Sequence, residues 1–423
     1  MKVLFVSDMP VNKSVSSGNT FLNVFDEIDG IEKYSIQTRN GFPDNSIIKS
    51  FCVNEKQIVK KLIKWNMPVG SEITERYSGK KSVEGLATGV ALRKRWSIFF
   101  IMQNLIWCLP FWKSKRLKKF LDEVRPDVIF TKLKMLNPLN KLIKFVVNYT
   151  DKPLMLYAWD DNYSFSTNKS PFKKLVQLNC RKHMRNTVKL ADKFYVISEI
   201  QKQDYEKWFG KPCKILTKSA DFSSKLPIKQ EYGKPLQIVY TGNVLINRWR
   251  SLEIIANALQ KINVNGVKAQ LRIYTGNTLT EEMNLALNKG ENSIVMGCAS
   301  ASEIEDIQKN ADILVHVEGL DEKSAQLVRH SFSTKLVDYF KMARPILAVG
   351  PRGVASIEYL IENDCSIYAD DERELVKKIS NLIQNYELLD ELSLKAYNCG
   401  KLNHDDSVMK NLIKRDLEII TSK

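Results

Sequence analysis

The chain has 423 residues, of which 44% are hydrophobic and 26% are charged. This composition is typical of a folded protein, and the length exceeds one ordinary hydrophobic core and fits two domains. The net charge of +16 is divided unevenly. Residues 1–220 hold 39 basic and 20 acidic side chains, whereas the remaining residues hold 25 and 28. A cationic first half indicates an anionic partner, for which nucleic acid, anionic lipid and an anionic substrate are the candidates.

The N-terminus and the cysteines indicate the compartment. The apolar run after Met1 is too short for a signal peptide and stops at Asp8, so we expect a buried first strand and a cytoplasmic protein. The seven cysteines are scattered without paired spacing, which fits a reducing compartment without disulfides. The His, Asp and Glu residues do not cluster with metal-ligand spacing, so no metal is expected.

Strands and helices alternate along both halves of the sequence. In the first half we predict buried strands at Val3–Val6, Val128–Phe130, Leu154–Ala158 and Lys193–Ile197, and helices at Lys56–Lys64, Arg116–Val124 and Ser170–Leu190. In the second half the predicted strands are Ile238–Thr241, Leu271–Thr275, Ser293–Met296, Ile313–Val317 and Ile346–Val349. The helices predicted there are Leu252–Ile262, Ala301–Asn310, Thr334–Met342, Glu372–Asn385 and Met409–Ile420. This alternation predicts two parallel sheets covered by helices, joined by a polar linker around Pro227 and Gly233.

The stretch Ser331–Asp338, between two predicted strands, is the most informative part of the sequence. The apolar residues that run through and beyond it recur at helical spacing. Ser333 or Thr334 is predicted to cap this helix, whose first free N–H groups form an anion site. Asp338 follows one turn later on the same face, where a carboxylate can accept hydrogen bonds from ribose hydroxyls. The segment therefore predicts a site for a nucleoside diphosphate.

Two strands of the second half end in the same four residues, Tyr-Thr-Gly-Asn, which place Gly242 and Gly276 directly after them. Glycine allows a tight turn and a close approach of a ligand to the backbone, although such turns also use glycine for structural reasons. In open parallel sheets, ligands bind beyond the carboxyl ends of the strands, where Gly297 and the Ser333 helix start also fall. This shared position favours the binding interpretation.

With these elements placed, the second half resembles the nucleotide-sugar-binding domain of GT-B glycosyltransferases, in particular the large retaining group. That group has a glycine after a strand and, six positions later, a basic residue that grips the donor diphosphate. The matching residues here are Gly242 and Arg248. The group often has arginine directly after the glycine, whereas this sequence has Asn243, so we expect Lys335 to supply the second phosphate cation.

The second mark of that group is a pair of glutamates separated by seven residues. Asp338 holds the second position and keeps the ribose-binding chemistry, while His330 stands at the first. In a branch with Ser-Thr-Lys before the acid, an upstream glutamate contacts the transferred sugar, and Glu318 matches it. The resemblance thus assigns donor binding to Gly18, Gly242, Asn243, Arg248, Gly297, Glu318, His330, Ser333, Thr334, Lys335 and Asp338. It implies a UDP- or GDP-linked sugar as the co-substrate, with no metal and no other cofactor.

Adjacent carboxylates follow a predicted strand of the first half at Asp160 and Asp161. They could bind acceptor hydroxyls or take the acceptor proton, and with Arg248 they are the candidate catalytic residues. A turn that leads into a helix cap explains the same pair equally well.

The segment Trp96–Trp112 is apolar, has tryptophan at both ends and lies between basic clusters. It is short for a spanning helix and contains Gln103, Asn104 and Pro110. We expect it to lie in a membrane interface, with its aromatic rings at headgroup depth and the cations on anionic lipid. The alternative is a buried helix of the first domain.

The resemblance implies an α/β protein of the GT-B type, with two Rossmann-like domains, each on a mostly parallel sheet, that face each other across a cleft. We predict a basic, membrane-facing acceptor domain at 1–220, a linker at 221–235 and a nucleotide-sugar domain at 236–402. A helix at 403–423 is expected to cross back to the first domain.

The function implied is retaining transfer of a sugar to a glycan acceptor, expected to be lipid-linked, in the assembly of capsule, lipopolysaccharide or another cell-surface polysaccharide. The protein would then be peripheral on the inner face of the cell membrane. Three alternatives stay open: a nucleotide-sugar epimerase of the same fold, a nucleic-acid-binding protein and a sugar-binding module without activity. Nucleic acid is not the expected partner, because the aromatic residues are packed into one apolar run instead of being spread along a basic groove.

Overall fold

A computed structural model describes residues 1–26, 28–75, 97–161, 163–164, 171–223, 226–227, 229 and 231–422. Trp96, Ser170 and four residues of the predicted linker lie outside the described residues. The chain forms two compact units. The first comprises Met1–Ile197, Lys202–Leu216 and Lys410–Lys423, and the second comprises Ser198–Gln201 and Thr217–Met409.

The first unit is built on a mostly parallel sheet with the strand order β4-β3-β2-β1-β5-β6-β7-β8. Its strands are β1 Lys2–Ser7, β2 Glu32–Gln37, β3 Ile47–Cys52, β4 Ser71–Ile73, β5 Val128–Lys132, β6 Leu154–Ala158, β7 Lys193–Val196 and β8 Lys214–Ile215. The helices between them are α1 Ser16–Phe25, α2 Glu55–Ile63, α3 Ser97–Ile106, α4 Lys115–Val124, α5 Asn137–Thr150, α6 Pro171–Leu190 and α7 Glu199–Phe209. The edge strand β4 pairs antiparallel with β3, and the other neighbours pair in parallel.

The second unit has a parallel sheet with the order β11-β10-β9-β12-β13-β14. Its strands are β9 Leu236–Thr241, β10 Ala269–Tyr274, β11 Ser293–Gly297, β12 Ile313–Val317, β13 Ile346–Val349 and β14 Ile367–Ala369. Its helices are α8 Arg248–Ile262, α9 Glu281–Leu287, α10 Ala301–Asn310, α11 Glu322–Val328, α12 Lys335–Met342, α13 Ala355–Glu362, α14 Glu372–Gln384 and α15 Tyr386–His404. The strand order reverses between β9 and β12. In doubly wound sheets ligands bind beyond the strand ends at this point, so the fold singles out the loops after β9 and β12.

The last helix, α16 (Asp406–Thr421), is held to the sheet of the first unit by a buried carboxylate. Asp416 accepts hydrogen bonds from Tyr195 at 2.8 Å and Lys214 at 2.6 Å, and it pairs with Lys193 at 2.9 Å. A buried charge needs such partners, because the protein interior cannot replace the water that it loses. Although burial alone would raise it, the pKa of Asp416 is lowered by these donors.

The apolar segment before α4 supplies core residues of the first unit. Trp107 is 1% exposed and Trp112 is 3% exposed, and their rings lie 5.3 Å apart. The indole Nε1 of Trp107 donates to Glu55 at 2.8 Å. The expectation that the end tryptophan Trp112 lies at headgroup depth is therefore wrong. Its ring is buried in the core, where it packs against Phe145 of α5. In the part of the chain that the structure describes, every helix is too short or too polar to cross a bilayer.

Candidate functional site

A cavity of about 560 Å³ opens at the carboxyl ends of β9, β10 and β11, between α10 and α12. Its wall consists of Thr241, Gly242, Tyr274, Thr275, Gly276, Cys298, Ala299, Ala301, Ile304, Glu305, Gln308, Lys335, Asp338, Lys341 and Met342. This volume is in the range of pockets that bind small molecules. Three of the predicted donor-binding residues, Gly242, Lys335 and Asp338, thus share one wall. Among the described residues, no group of three or more His, Cys, Asp or Glu is placed to hold a metal ion.

Helix α12 begins beside this cavity, one residue later than predicted. Thr334 occupies the N-cap position, but among the described contacts its side chain makes no capping hydrogen bond. The backbone N–H of Leu336 instead donates to the carbonyl of Ser333 at 3.0 Å. The expected side-chain cap by Thr334 is therefore wrong, because a tight backbone turn starts the helix in its place.

The ammonium group of Lys335 lies against the end of β9. Its Nζ donates to the carbonyl of Thr241 at 2.9 Å. A Cβ atom at position 242 would stand 2.0 Å from this nitrogen, so Gly242 leaves the space in which the ammonium group lies. Burial, together with the charge of Arg248, lowers the pKa of Lys335 to about 8. An anion bound in the cavity would stabilise the positively charged form of Lys335.

Arg248 opens helix α8 and points toward the end of β12. Its Nε donates to Oε2 of Glu318 at 2.9 Å and its Nη2 donates to Oε1 at 3.1 Å, which makes the pair bidentate. Its Nη1 donates to the side-chain oxygen of Asn243 at 2.8 Å. Asn243, which stands where the resemblance predicts an arginine, therefore helps to orient Arg248.

Glu318 is buried beneath this arginine. Burial raises the pKa of its carboxyl group, against the opposing effect of the Arg248 charge. Behind it lies His316, whose pKa burial lowers to about 3, so this imidazole is neutral and its Nε2 bonds with the hydroxyl of Ser356 at 3.0 Å. Glu318 in this structure holds Arg248 in place, and its contact with a transferred sugar stays a prediction.

Asp338 lies on the cavity wall, one turn after the start of α12, and pairs with Lys218. Both side chains are partly exposed. A carboxylate at this position can accept hydrogen bonds from two ribose hydroxyls if the lysine swings aside or bonds to the same ligand. The pairing gives Lys218, which precedes the linker, a place at the site that the motif search did not identify.

The other predicted donor residues occupy different positions. Gly297 ends β11, next to Cys298 on the cavity wall. His330 is buried; its carbonyl accepts a hydrogen bond from Ser198 at 2.9 Å, and the cavity wall as described does not include it. Gly18 belongs to the first unit, where a Cβ atom would stand 2.5 Å from the backbone of Asn12. This close approach explains Gly18 structurally, and its donor contact stays a prediction.

The two adjacent aspartates of the first unit have different surroundings. The carboxylate of Asp161 accepts hydrogen bonds from the backbone N–H groups of Tyr163 at 3.1 Å and Ser164 at 3.0 Å, as the turn interpretation requires. Asp160 lies near a charged cluster in which Asp8 binds Lys132 at 2.6 Å. Loss of hydration raises the pKa of Asp160, opposed by Lys132. Of the pair, Asp160 keeps the more suitable position for acid–base chemistry.

Helix α10 contributes a part of the cavity that the motif search missed. Glu305 lines the wall, and Gln308 donates from its side chain to the hydroxyl of Thr241 at 2.8 Å. The available signal was topological, since a helix that follows the edge strand β11 must begin at the same end of the sheet as Gly242.

Comparison with known proteins identifies the fold. No family model matches the sequence, and no curated protein is similar to it. The structure is similar to HepE from Anabaena, solved in complex with UDP, at 12% identity over 99% of this chain and 100% of that one, with a TM-score of 0.61. It is also similar to sucrose-phosphate synthase from Thermosynechococcus elongatus, at 9% identity over 100% and 99% of the chains, with a TM-score of 0.63. The N-terminal domain of trehalose-6-phosphate phosphatase from Candida albicans matches at 12% identity, 99% and 96% coverage and a TM-score of 0.60. Identities this low show a shared fold alone. The predicted α/β class and GT-B fold, two Rossmann-like units on mostly parallel sheets, are confirmed.

Proposed function

We propose that this protein is a glycosyltransferase of the hexosyltransferase class, which moves a sugar from a nucleotide sugar to a glycan acceptor with retention of configuration. The observation that carries the proposal is the cavity wall that combines Gly242, Lys335 and Asp338, with Arg248 at its margin. UDP is the favoured nucleotide, because HepE, which shares the fold, has been solved with UDP and with UDP-glucose.

The chemistry of the donor half follows from these side chains. As the sugar–oxygen bond breaks, negative charge grows on the departing diphosphate, and fixed cations stabilise it. Lys335 on the cavity wall and Arg248 at its margin are placed to supply such cations. Glu318 and Asn243 hold the guanidinium group of Arg248 in one orientation, so little reorganisation is needed when the charge develops. Asp338 accepts hydrogen bonds from the ribose. With two cations at the phosphates, we propose that no metal and no other cofactor is required.

The acceptor half rests on the first unit. Its basic surface suits a lipid-linked glycan on an anionic membrane, and Asp160 is the candidate group for the acceptor hydroxyl. We propose accordingly that the protein acts at the inner face of the cell membrane in the assembly of capsule, lipopolysaccharide or a related polysaccharide. TarM from S. aureus, which has been solved with UDP and a glycosylated glycerol, is a structural neighbour with a glycan ligand.

The test measures transfer directly. The purified protein is incubated with a panel of UDP- and GDP-linked sugars and with a lipid extract as acceptor source. We expect nucleoside diphosphate release that depends on the acceptor, and a product whose anomeric configuration by NMR equals that of the donor. Isomerisation of the nucleotide sugar without acceptor would instead identify an epimerase. Saturable binding without any product would identify a sugar-binding module.

Two arginines on α8 provide a matched pair for this assay. Arg248→Ala removes the cation beside the diphosphate and is expected to lower kcat by about 100-fold or more. Arg250→Ala removes an exposed arginine that pairs with Glu282, and it should leave kcat unchanged. Arg248→Lys keeps the charge and should recover part of the activity. Equal activities of the two alanine variants would refute the role of Arg248.

A further inference from the structure

Six large apolar side chains of the first unit point into solvent from two neighbouring helices. They are Leu62, Ile63 and Trp65 at the end of α2, and Ile101, Met102 and Leu105 on α3. We call this surface the α2–α3 face. Ile63 is 78% exposed, Trp65 is 70% exposed and Leu105 is 63% exposed. Single exposed apolar residues are ordinary, whereas a group of six on adjacent elements marks a surface that is covered by a partner.

The two helices form one surface because they are joined to each other. The side chain of Gln103 on α3 donates to Glu55 at the start of α2 at 2.7 Å. The ring of Trp65 meets that of Phe111, just beyond α3, with centroids 5.7 Å apart. Trp107, directly after α3, is buried in the core. The hydrophobic core cluster, as far as the structure describes it, does not include the six side chains of the α2–α3 face.

The charges on these elements are mostly positive. In the ranges 55–65 and 97–113 the sequence has five lysines and a single acidic residue. That residue is Glu55, whose carboxylate accepts hydrogen bonds from the side chains of Trp107 and Gln103. Lys61 lies over the ring of Trp65, with its Nζ 5.3 Å from the ring centroid. An apolar strip with a tryptophan and surrounding lysines matches the order of a membrane surface, in which anionic headgroups lie outside the acyl chains.

We propose that the α2–α3 face docks on an anionic lipid surface, with α2 and α3 in the plane of the interface. The apolar side chains enter the boundary between headgroups and acyl chains, and Lys60, Lys61 and Lys64 contact anionic headgroups. A second copy of the chain fits this face less well, because two sets of lysines would face each other. In this proposal the α2–α3 face makes the membrane contact, whereas Trp107 and Trp112 are buried in the core. The proposal rests on the proposed function only for its purpose, which is to bring the protein to a lipid-linked acceptor.

The test compares vesicles of phosphatidylcholine with vesicles that also contain phosphatidylglycerol, in a sedimentation assay with the full chain. We expect binding to the anionic vesicles that weakens with added salt. The triple variant Ile63→Ser, Trp65→Ser, Leu105→Ser is expected to bind at least tenfold more weakly. The double variant Val264→Ser, Leu285→Ser removes two exposed apolar side chains of the second unit, 77% and 67% exposed, and should bind like the wild type.

A charge variant separates the two contributions. Lys60→Glu with Lys64→Glu is expected to weaken binding to anionic vesicles by about fivefold or more per lysine, with little change on neutral vesicles. Because the substituted side chains are exposed, the thermal midpoint and the stabilisation by UDP should stay at wild-type values. These readouts keep a failure of docking distinct from a failure of the nucleotide site.

Three results would overturn the proposal. The first is wild-type protein that does not sediment with anionic vesicles. The second is a triple variant that binds as tightly as the wild type, which would leave electrostatics alone as the cause. The third is a wild-type dimer in light scattering that the triple variant converts to a monomer, which would assign the face to a second copy of the chain.

Discussion

Gly242 controls where the ammonium group of Lys335 lies, and the substitution Gly242→Ala tests this arrangement. The new methyl carbon would stand 2.0 Å from Nζ of Lys335 and 3.0 Å from the hydroxyl of Tyr240. The end of a lysine side chain moves at little cost, so we expect the protein to fold. The ammonium group then leaves the cavity wall and gives up its bond with Thr241.

The magnitude follows from the lost phosphate contact. A charge-assisted hydrogen bond contributes about 1.5–3 kcal/mol, which corresponds to a 10- to 150-fold weaker affinity for a nucleoside diphosphate. The backbone at Gly242 has a φ of +159°, which adds a stability cost of about 1–3 kcal/mol for alanine. Lys335→Met should weaken binding by a similar factor without the backbone cost.

Calorimetric titration with UDP measures these affinities. Gly276→Ala is the matched control, because its methyl carbon would be 3.5 Å from the sulfur of Cys298, an ordinary contact on the same cavity wall. If Gly242 acts through Lys335, the double variant Gly242→Ala, Lys335→Met binds no more weakly than Lys335→Met alone. Additive losses in this cycle, or equal losses for the two glycine variants, would refute the reasoning.

Three further predictions follow from the same structure. Because the pKa of Lys335 is about 8 in the free protein, UDP affinity should fall as the pH rises through 8. Calorimetry in buffers of different ionisation enthalpy should detect proton uptake near pH 8.5 that Lys335→Met abolishes. Ile246 is β-branched with a φ of +56°, so Ile246→Asn should raise the free energy of unfolding in urea by about 0.5–1 kcal/mol; an unchanged or lower value would show that the backbone is not strained. Asp416→Ala leaves the partly buried Lys193 without its carboxylate and should cost about 2–3 kcal/mol in the same assay. Since the folded pKa of Asp416 is lowered, the wild-type contribution is present at neutral pH and is lost as the pH falls below about 4.

The sequence predicted the second unit well because its strands are continuous apolar runs between helices. Ile313–Val317 and Ile346–Val349 match β12 and β13 residue for residue. Such runs occur where both faces of a parallel sheet are covered, and this makes them easy to recognise. The position of Asp338 near the start of α12 followed from helical periodicity alone.

The strands β2 and β3 were missed because their buried faces carry polar side chains. Ser35 and Ser50 are buried and bond to each other at 2.7 Å, and Lys33 is buried in an ion pair with Asp26. These partners make the polar burial tolerable, but they come from distant parts of the sequence. Because these positions are polar, the hydrophobic pattern of the sequence does not predict buried strands there.

The site differs from its prediction because its side chains also pair with residues that are distant in sequence. The sequence motifs predicted separate roles for Arg248 and Glu318. In the folded chain the two side chains form a bidentate pair at the ends of neighbouring elements. The partner of Asp338, Lys218, lies 120 residues earlier in the chain. Motifs give the residue types of a site, whereas its pairings depend on contacts distant in sequence.

The central claim is that the cavity of the second unit binds a nucleoside diphosphate through Lys335 and Asp338. The most direct measurement is a thermal-shift titration with UDP, GDP, ADP and CMP on the wild type, Asp338→Ala and the exposed-arginine control Arg250→Ala. A ligand at 100 times its dissociation constant stabilises the folded state by about 2.7 kcal/mol. We predict that one nucleoside diphosphate stabilises the wild type and Arg250→Ala but does not stabilise Asp338→Ala. Absence of a shift with all four nucleotides, with the protein folded, would contradict the account.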